Sequence, residues 1–162
     1  MNTTEIKLKK RIKTLVLFFI IALILSGITA FPIESQLAIA NANINIFPGF
    51  IQQWISTVYA AVKSTNENYP YLAYGTDWLA FAHIVIAVSF IGPLKEPVKN
   101  IWVIQFGMIS CVMVLPLAFI AGAVRGIPLY WQLIDCSFGV FGFLLLYYCY
   151  LDIRKLERVS NT

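Results

Sequence analysis

Histidine is nearly absent from this chain, and charge of either sign is scarce. One His, eight acidic residues and twelve Lys/Arg leave only 12% of the residues charged, about half the ~25% of a soluble domain. A single His excludes an intrachain bis-His haem and most His-rich metal centres. Cys111, Cys136 and Cys149 lack the C-x-x-C spacing of metal or redox sites and read as small packing residues. No G-x-S-x-G or H-E-x-x-H pattern occurs, so the common hydrolase and zinc-protease signatures are missing. Near the outer ends of the apolar segments described next, the only acids are Glu34, Glu67, Asp77 and Asp135, poor support for a paired-carboxylate hydrolase. No cofactor is implied.

What the chain does have is apolar length. With 59% hydrophobic residues, it carries four long apolar segments, at 15–31, 77–94, 101–124 and 130–151, each read as a span of the roughly 30 Å hydrocarbon layer. The apolar heart of the second, 78–92, is short and needs its flanks in the headgroups. Lys7, Lys9, Lys10, Arg11 and Lys13 precede the first span, Lys95 and Lys99 separate the second from the third, and Arg154, Lys155 and Arg158 follow the fourth. Ten of the twelve Lys/Arg therefore share one side, with only Lys63 and Arg125 opposite. The positive-inside rule then predicts an all-α polytopic membrane protein: four transmembrane helices, a basic cytoplasmic N-terminus (1–14), a cytoplasmic tail (152–162) and an outer segment at 32–76. In that setting the net charge of +4 meets anionic lipid rather than nucleic acid. Trp54, Trp78, Trp102 and Trp131 fall at the predicted boundaries, where amphipathic rings favour the headgroup level. The first apolar run is too long for a secretory signal, and Ile28 suits a cleavage site poorly, so it reads as an uncleaved anchor.

The outer segment contains a predicted amphipathic helix at about 48–64. Pro48 suits a first helical turn, and Phe50, Ile51, Trp54, Ile55, Val58, Tyr59 and Val62 recur on one helix face, with Gln52, Gln53, Ser56, Thr57 and Lys63 on the other. With one Lys it lacks the basic face of an electrostatic membrane binder, so it lies in the outer interface or caps the bundle. Residues 66–70 read as a turn, Thr76 and Asp77 as the start of the second span, Pro93 and Pro97 as its end, and 125–128 as a tight turn between the third and fourth spans. Gly107, Cys111, Ala118 and Gly122 share one face of the third span, where small residues let helices approach in lipid, and Pro116 predicts a kink. On the fourth, Gln132, Asp135, Gly139 and Gly142 fall within about 60° of one another at 100° per residue, a stripe expected to face protein.

Polar groups inside a bilayer are costly, and that singles out one constellation. His83 and Asp135 each lie about 7–8 Å below the outer boundary at 1.5 Å per residue. Arg125 sits in the turn above, Gln132 one helical turn from Asp135, and Asp77 at the rim. His83, Asp135, Arg125, Gln132 and Asp77 thus form a candidate outer-leaflet pocket that handles protons or binds an anion. The competing reading is a structural clasp in which Asp135 is satisfied by Arg125 or His83. Gln105 reads as an interhelical hydrogen bond.

Asp77, His83, Arg125 and the run Asp135-Cys136-Ser137-Phe138-Gly139-Val140-Phe141-Gly142 resemble the VanZ-like family of small bacterial membrane proteins, which carry a D-K-x-x-H start and a late R…D-x-x-x-N-x-x-G segment. Here Trp78 replaces the Lys, His83 stands two residues further on, and Gly139 replaces the Asn. The resemblance covers about thirty residues and implies a bacterial envelope role. The sequence reading is thus a small bacterial inner-membrane protein that binds a lipid or anionic ligand at the outer leaflet or supports an envelope assembly, with a protein partner or a second copy of itself. The alternatives are a membrane enzyme using His83 and Asp135 as an acid–base pair, and a proton-coupled transporter subunit.

Overall fold

The computed structural model describes residues 3–160, and among them there is no strand. Seven helices follow one another: α1 (Thr3–Ala30), α2 (Ile33–Ala42), α3 (Gly49–Asn68), α4 (Ala73–Ser89), α5 (Ile91–Lys95), α6 (Ile101–Val124) and α7 (Leu129–Ser160). Four stretches are long and apolar enough to cross a membrane: Thr3–Ala30, Pro70–Lys95, Ile101–Val124 and Leu129–Ser160. The protein is an all-α, multi-pass membrane protein by these criteria. Two of the spans run on well past their apolar parts. The basic stretch before residue 15 belongs to α1, and the stretch after 151 belongs to α7, because neither contains Pro or Gly to stop a helix.

Local chemistry explains the breaks. Pro32 ends α1, since a proline disfavours the helical conformation in the residue before it. The Gln36 side chain then donates to the Thr29 carbonyl at 2.8 Å, satisfying one of the carbonyls a helix end leaves open. Pro48 precedes α3, and its carbonyl accepts from the amides of Ile51 and Gln52. The expected turn at 66–70 is shorter than predicted: α3 continues to Asn68, and Pro70 opens a 3-10 turn, Pro70–Leu72. That turn feeds α4 directly, so α4 starts at Ala73 rather than at Thr76 or Asp77. Phe90 interrupts the chain before α5. Pro93 lies in the first turn of that short helix, where no amide is needed. Asn100 stands at the N-cap of α6, but its side chain turns back to donate to the carbonyls of Gly92 and Glu96.

The chain forms two compact units, one built from the chain up to Ile21 and from Ala87 onward, the other Ala22–Ile86. In the first, α6 and α7 form an antiparallel hairpin. Its turn is a Schellman motif: the Ile127 amide reaches the Gly122 carbonyl, the Gly126 amide reaches Ala123, and Gly126 adopts φ +67°, a conformation nearly free of penalty only for glycine. A Cβ on Gly139 would stand 2.7 Å from the Cys111 carbonyl oxygen, and one on Gly107 2.7 Å from Leu146. Gly139 is therefore where the two backbones meet, and Gly107 makes room for the Leu146 and Phe90 side chains. The core of this unit gathers Ile12, Val16, Phe90, Ile104, Leu146, Cys149, Ile153 and Leu156, all fully buried or nearly so. Phe19 packs against Phe90 with ring centroids 4.8 Å apart and the rings tilted by 50°.

In the second unit, α2 packs on α3. Ile55 is buried and Ile51, Trp54, Val58, Tyr59 and Val62 are half-buried, but so is Gln52, while Phe50 is exposed along with Gln53, Ser56, Thr57 and Lys63. Ser56 donates to Asn41 and Asn66 to Glu34, at 2.9 and 2.6 Å. A helix does occupy the predicted stretch, longer by about one turn, but its two faces depart from the expected pattern at Phe50 and Gln52. The sequence reading missed the α2 beside it, whose periodicity is weak. Gly139→Val should strain the α6–α7 contact, because the Cys111 carbonyl cannot retreat as a flexible side chain would. Such overpacking costs about 1–3 kcal/mol, and thermal unfolding in detergent should show a lowered Tm, while Gly49→Ala, with open space around it, should not.

Candidate functional site

Each of the five residues singled out in the sequence has a definite place. Gln132 is buried at 7% exposure, and its side-chain amide donates to the Ile127 carbonyl at 2.7 Å. It fills the space over Gly122, where a Cβ would come 2.5 Å from the Gln132 amide carbon. Gln132 thus holds the turn between α6 and α7. Arg125 closes α6 and is exposed.

Asp135 is exposed as well. The buried line of α7 runs through Gln132, Cys136, Gly139 and Leu146, and Asp135 stands about 60° to its side at 100° per residue. The expected stripe was centred too far toward Asp135. Among the described residues, neither Arg125 nor Asp135 forms an ion pair. The Asp135–Arg125 clasp is accordingly not made.

His83 and Asp77 belong to the second unit. His83 is half-buried, and its Nδ1 lies 2.8 Å from the Leu79 carbonyl oxygen. A carbonyl only accepts, so Nδ1 carries the proton, and in the neutral ring Nε2 is the acceptor. Gly27 of α1 lies against this part of α4: a Cβ there would come 2.7 Å from the Ala80 carbonyl and 3.2 Å from the His83 Cβ. Asp77 is half-buried on the same helix, six residues before His83, which is about 9 Å along the axis and about 120° around it. The two do not meet.

The polar contact that sequence reasoning missed lies at the other ends of the helices. Asp152 on α7 is 1% exposed and takes both Nε and Nη2 of Arg11 on α1 in a bidentate pair. Bidentate guanidinium–carboxylate pairs are among the strongest polar contacts a protein makes. One signal was available: Asp152 follows Leu146 and Cys149 at helical spacing, on the side of α7 that is buried. Its position just beyond the apolar run instead suggested a solvated tail. Other acids at this end pair locally, Glu5 with Lys9, Glu96 with Lys99 and Glu157 with Arg154.

No protein-family model, curated protein or solved structure matches this chain. Function must therefore be argued from its own residues. Among those described, no three His, Cys, Asp or Glu side chains are placed to hold a metal ion. The cysteines are unpaired, with Cys136 and Cys149 buried and Cys111 half-buried.

The Arg11–Asp152 pair is asymmetric, because the Arg11 side chain keeps 61% of its exposure and Asp152 keeps 1%. Arg11→Met strands a buried carboxylate and should lower stability by on the order of 2–4 kcal/mol. Asp152→Asn leaves a solvated guanidinium and should cost about 1 kcal/mol. Denaturation of the two variants in the same detergent checks the order, and equal losses would show that the carboxylate is not the buried partner that matters.

Proposed function

We propose that this chain is a small bacterial inner-membrane protein with both termini in the cytoplasm, and that it works by binding. In this reading the segment 32–76 lies on the outer side. There it engages membrane lipid or an anionic ligand at the outer leaflet, or docks onto a larger envelope assembly. One observation carries the proposal: α2, α3 and the start of α4 leave a set of large side chains uncovered, with Ile39, Ile46, Phe50, Tyr71, Tyr74 and Trp78 each 57–76% exposed. Large apolar and aromatic groups displayed together mark a surface that meets lipid or a partner, and Tyr and Trp suit the headgroup level. The Lys/Arg distribution supports the orientation, and the residues shared with the VanZ-like pattern agree with an envelope setting.

A second reading, a membrane enzyme or proton-coupled transporter subunit, is favoured by His83. Its Nδ1–H is committed to Leu79, which orients Nε2 as a base within a span. His83→Gln separates the readings. A binding protein should keep its ligand or partner, whereas an acid–base catalyst should lose turnover by roughly 10²–10⁴-fold with folding intact.

Two measurements test the leading proposal. Reporter fusions should show Lys63 outside and Lys155 in the cytoplasm, and cytoplasmic activity at Lys63 would overturn the orientation. A photo-cross-linking residue at Phe50 or Tyr71 should capture lipid or one defined protein in native membranes, while the same probe at the exposed polar position Gln53 should capture far less. Equal yields at all three would remove the docking surface.

A further inference from the structure

The basic end of the first unit holds a groove of about 620 Å³ lined by Lys10, Lys13, Thr14, Leu17, Leu94 and Lys95. Its chemistry is graded. Lys10, Lys13, Thr14 and Leu17 follow i, i+3, i+4, i+7 spacing, so they lie on one face of α1, and about 10 Å along the axis separates Lys10 from Leu17. Going down that face the side chains change from ammonium groups to Leu17 and then Ile21, which remain 48% and 47% exposed. Lys95 and Leu94 repeat the same change from the α5 side.

The three lysines also stand apart from their neighbours electrostatically. The acids at this end are taken up by Lys9, Arg11, Lys99 and Arg154. Among the described residues no carboxylate pairs with Lys10, Lys13 or Lys95, and all three are exposed. The Thr14 hydroxyl donates to the Lys10 carbonyl at 3.1 Å, which leaves its oxygen able to accept.

We propose that this groove binds the phosphate headgroup of an anionic phospholipid, with the acyl chain lying along Leu17 and Ile21. Three lysines lining one groove suit a phosphate oxyanion, and clustered lysines beside a span are the usual recognition for anionic headgroups. The apolar lower wall selects the source of the phosphate. A soluble phosphate would leave Leu17, Ile21 and Leu94 uncovered, whereas a phospholipid covers them while its headgroup meets the lysines. The groove is built from the first unit alone, and the proposal does not depend on what the segment 32–76 binds.

Native mass spectrometry of the full chain in neutral detergent tests the site, with phosphatidylglycerol, phosphatidylcholine and inorganic phosphate as probes. The protein should retain phosphatidylglycerol in preference to phosphatidylcholine. Lys10→Gln, Lys13→Gln and Lys95→Gln together should reduce that preference by tenfold or more, since each lysine near a membrane surface contributes about fivefold. A control with the same loss of charge, Lys7→Gln, Lys99→Gln and Lys155→Gln, should keep most of it. An equal loss in the control would mean diffuse attraction and overturn the groove. Displacement of phosphatidylglycerol by millimolar inorganic phosphate would overturn the lipid as its occupant. The single exposed change Lys13→Glu should by itself lower the preference in a protein with unaltered Tm, and an unchanged preference there would also overturn the proposal.

Discussion

Asp152 is a carboxylate removed almost completely from solvent near the end of α7, and the guanidinium of Arg11 is what makes that burial tolerable. An ionised carboxylate without a partner costs several kcal/mol to bury, so wherever Asp152 goes, Arg11 must follow. The pair joins the first long helix to the last. The same unit buries Ile12 and Val16 from α1, Phe90 before α5, Ile104 from α6 and Ile153 and Leu156 from α7. Pairing sets the register of α1 against α7. Buried ion pairs of this kind are weak sources of net stability and better understood as fixing one arrangement among several.

Elsewhere in the first unit the contacts obey a different constraint. Lipid tails are as apolar as leucine, so helices gain nothing from burying apolar surface against one another and must instead pack closely. Gly107, Gly122, Gly139 and Gly142 supply that closeness, each occupied by a neighbour that a side chain would displace. Polar groups in the same helices are satisfied locally. Gln132 reaches the carbonyl of the adjoining turn, and Ser110 returns to the carbonyl of Phe106 in its own helix. The expense of an unmade hydrogen bond in hydrocarbon leaves little freedom in where such groups end up.

The functional consequences follow from which groups are left over once these demands are met. In the first unit, apart from Arg125 and Asp135, three lysines without a carboxylate partner among the described residues line one groove beside Leu17 and Leu94. In the second, the leftover surface is aromatic and aliphatic, on helices that connect the first two spans. Under the proposals above, both are surfaces that meet amphiphiles or partners, and His83 is the group that carries the acid–base alternative.

The helical spans, their order and the sharp turn at Arg125–Pro128 were determined by the sequence alone, because apolar run length, prolines and a glycine after a helix are local signals. The small-residue face of α6 was legible for the same reason. The helix at 49–68 could be read from its 3.6-residue periodicity, whereas α2, with little periodicity, could not. What tertiary structure decided was which polar residue is buried. Asp135, inside an apolar run, is exposed, while Asp152, beyond that run, is enclosed. Burial depends on which face of a helix meets its neighbour, and an offset of about 60° separates the two outcomes. Which of five closely spaced basic residues before the first span would meet Asp152 was likewise set by register between helices 141 residues apart in sequence, a relation that no local pattern encodes.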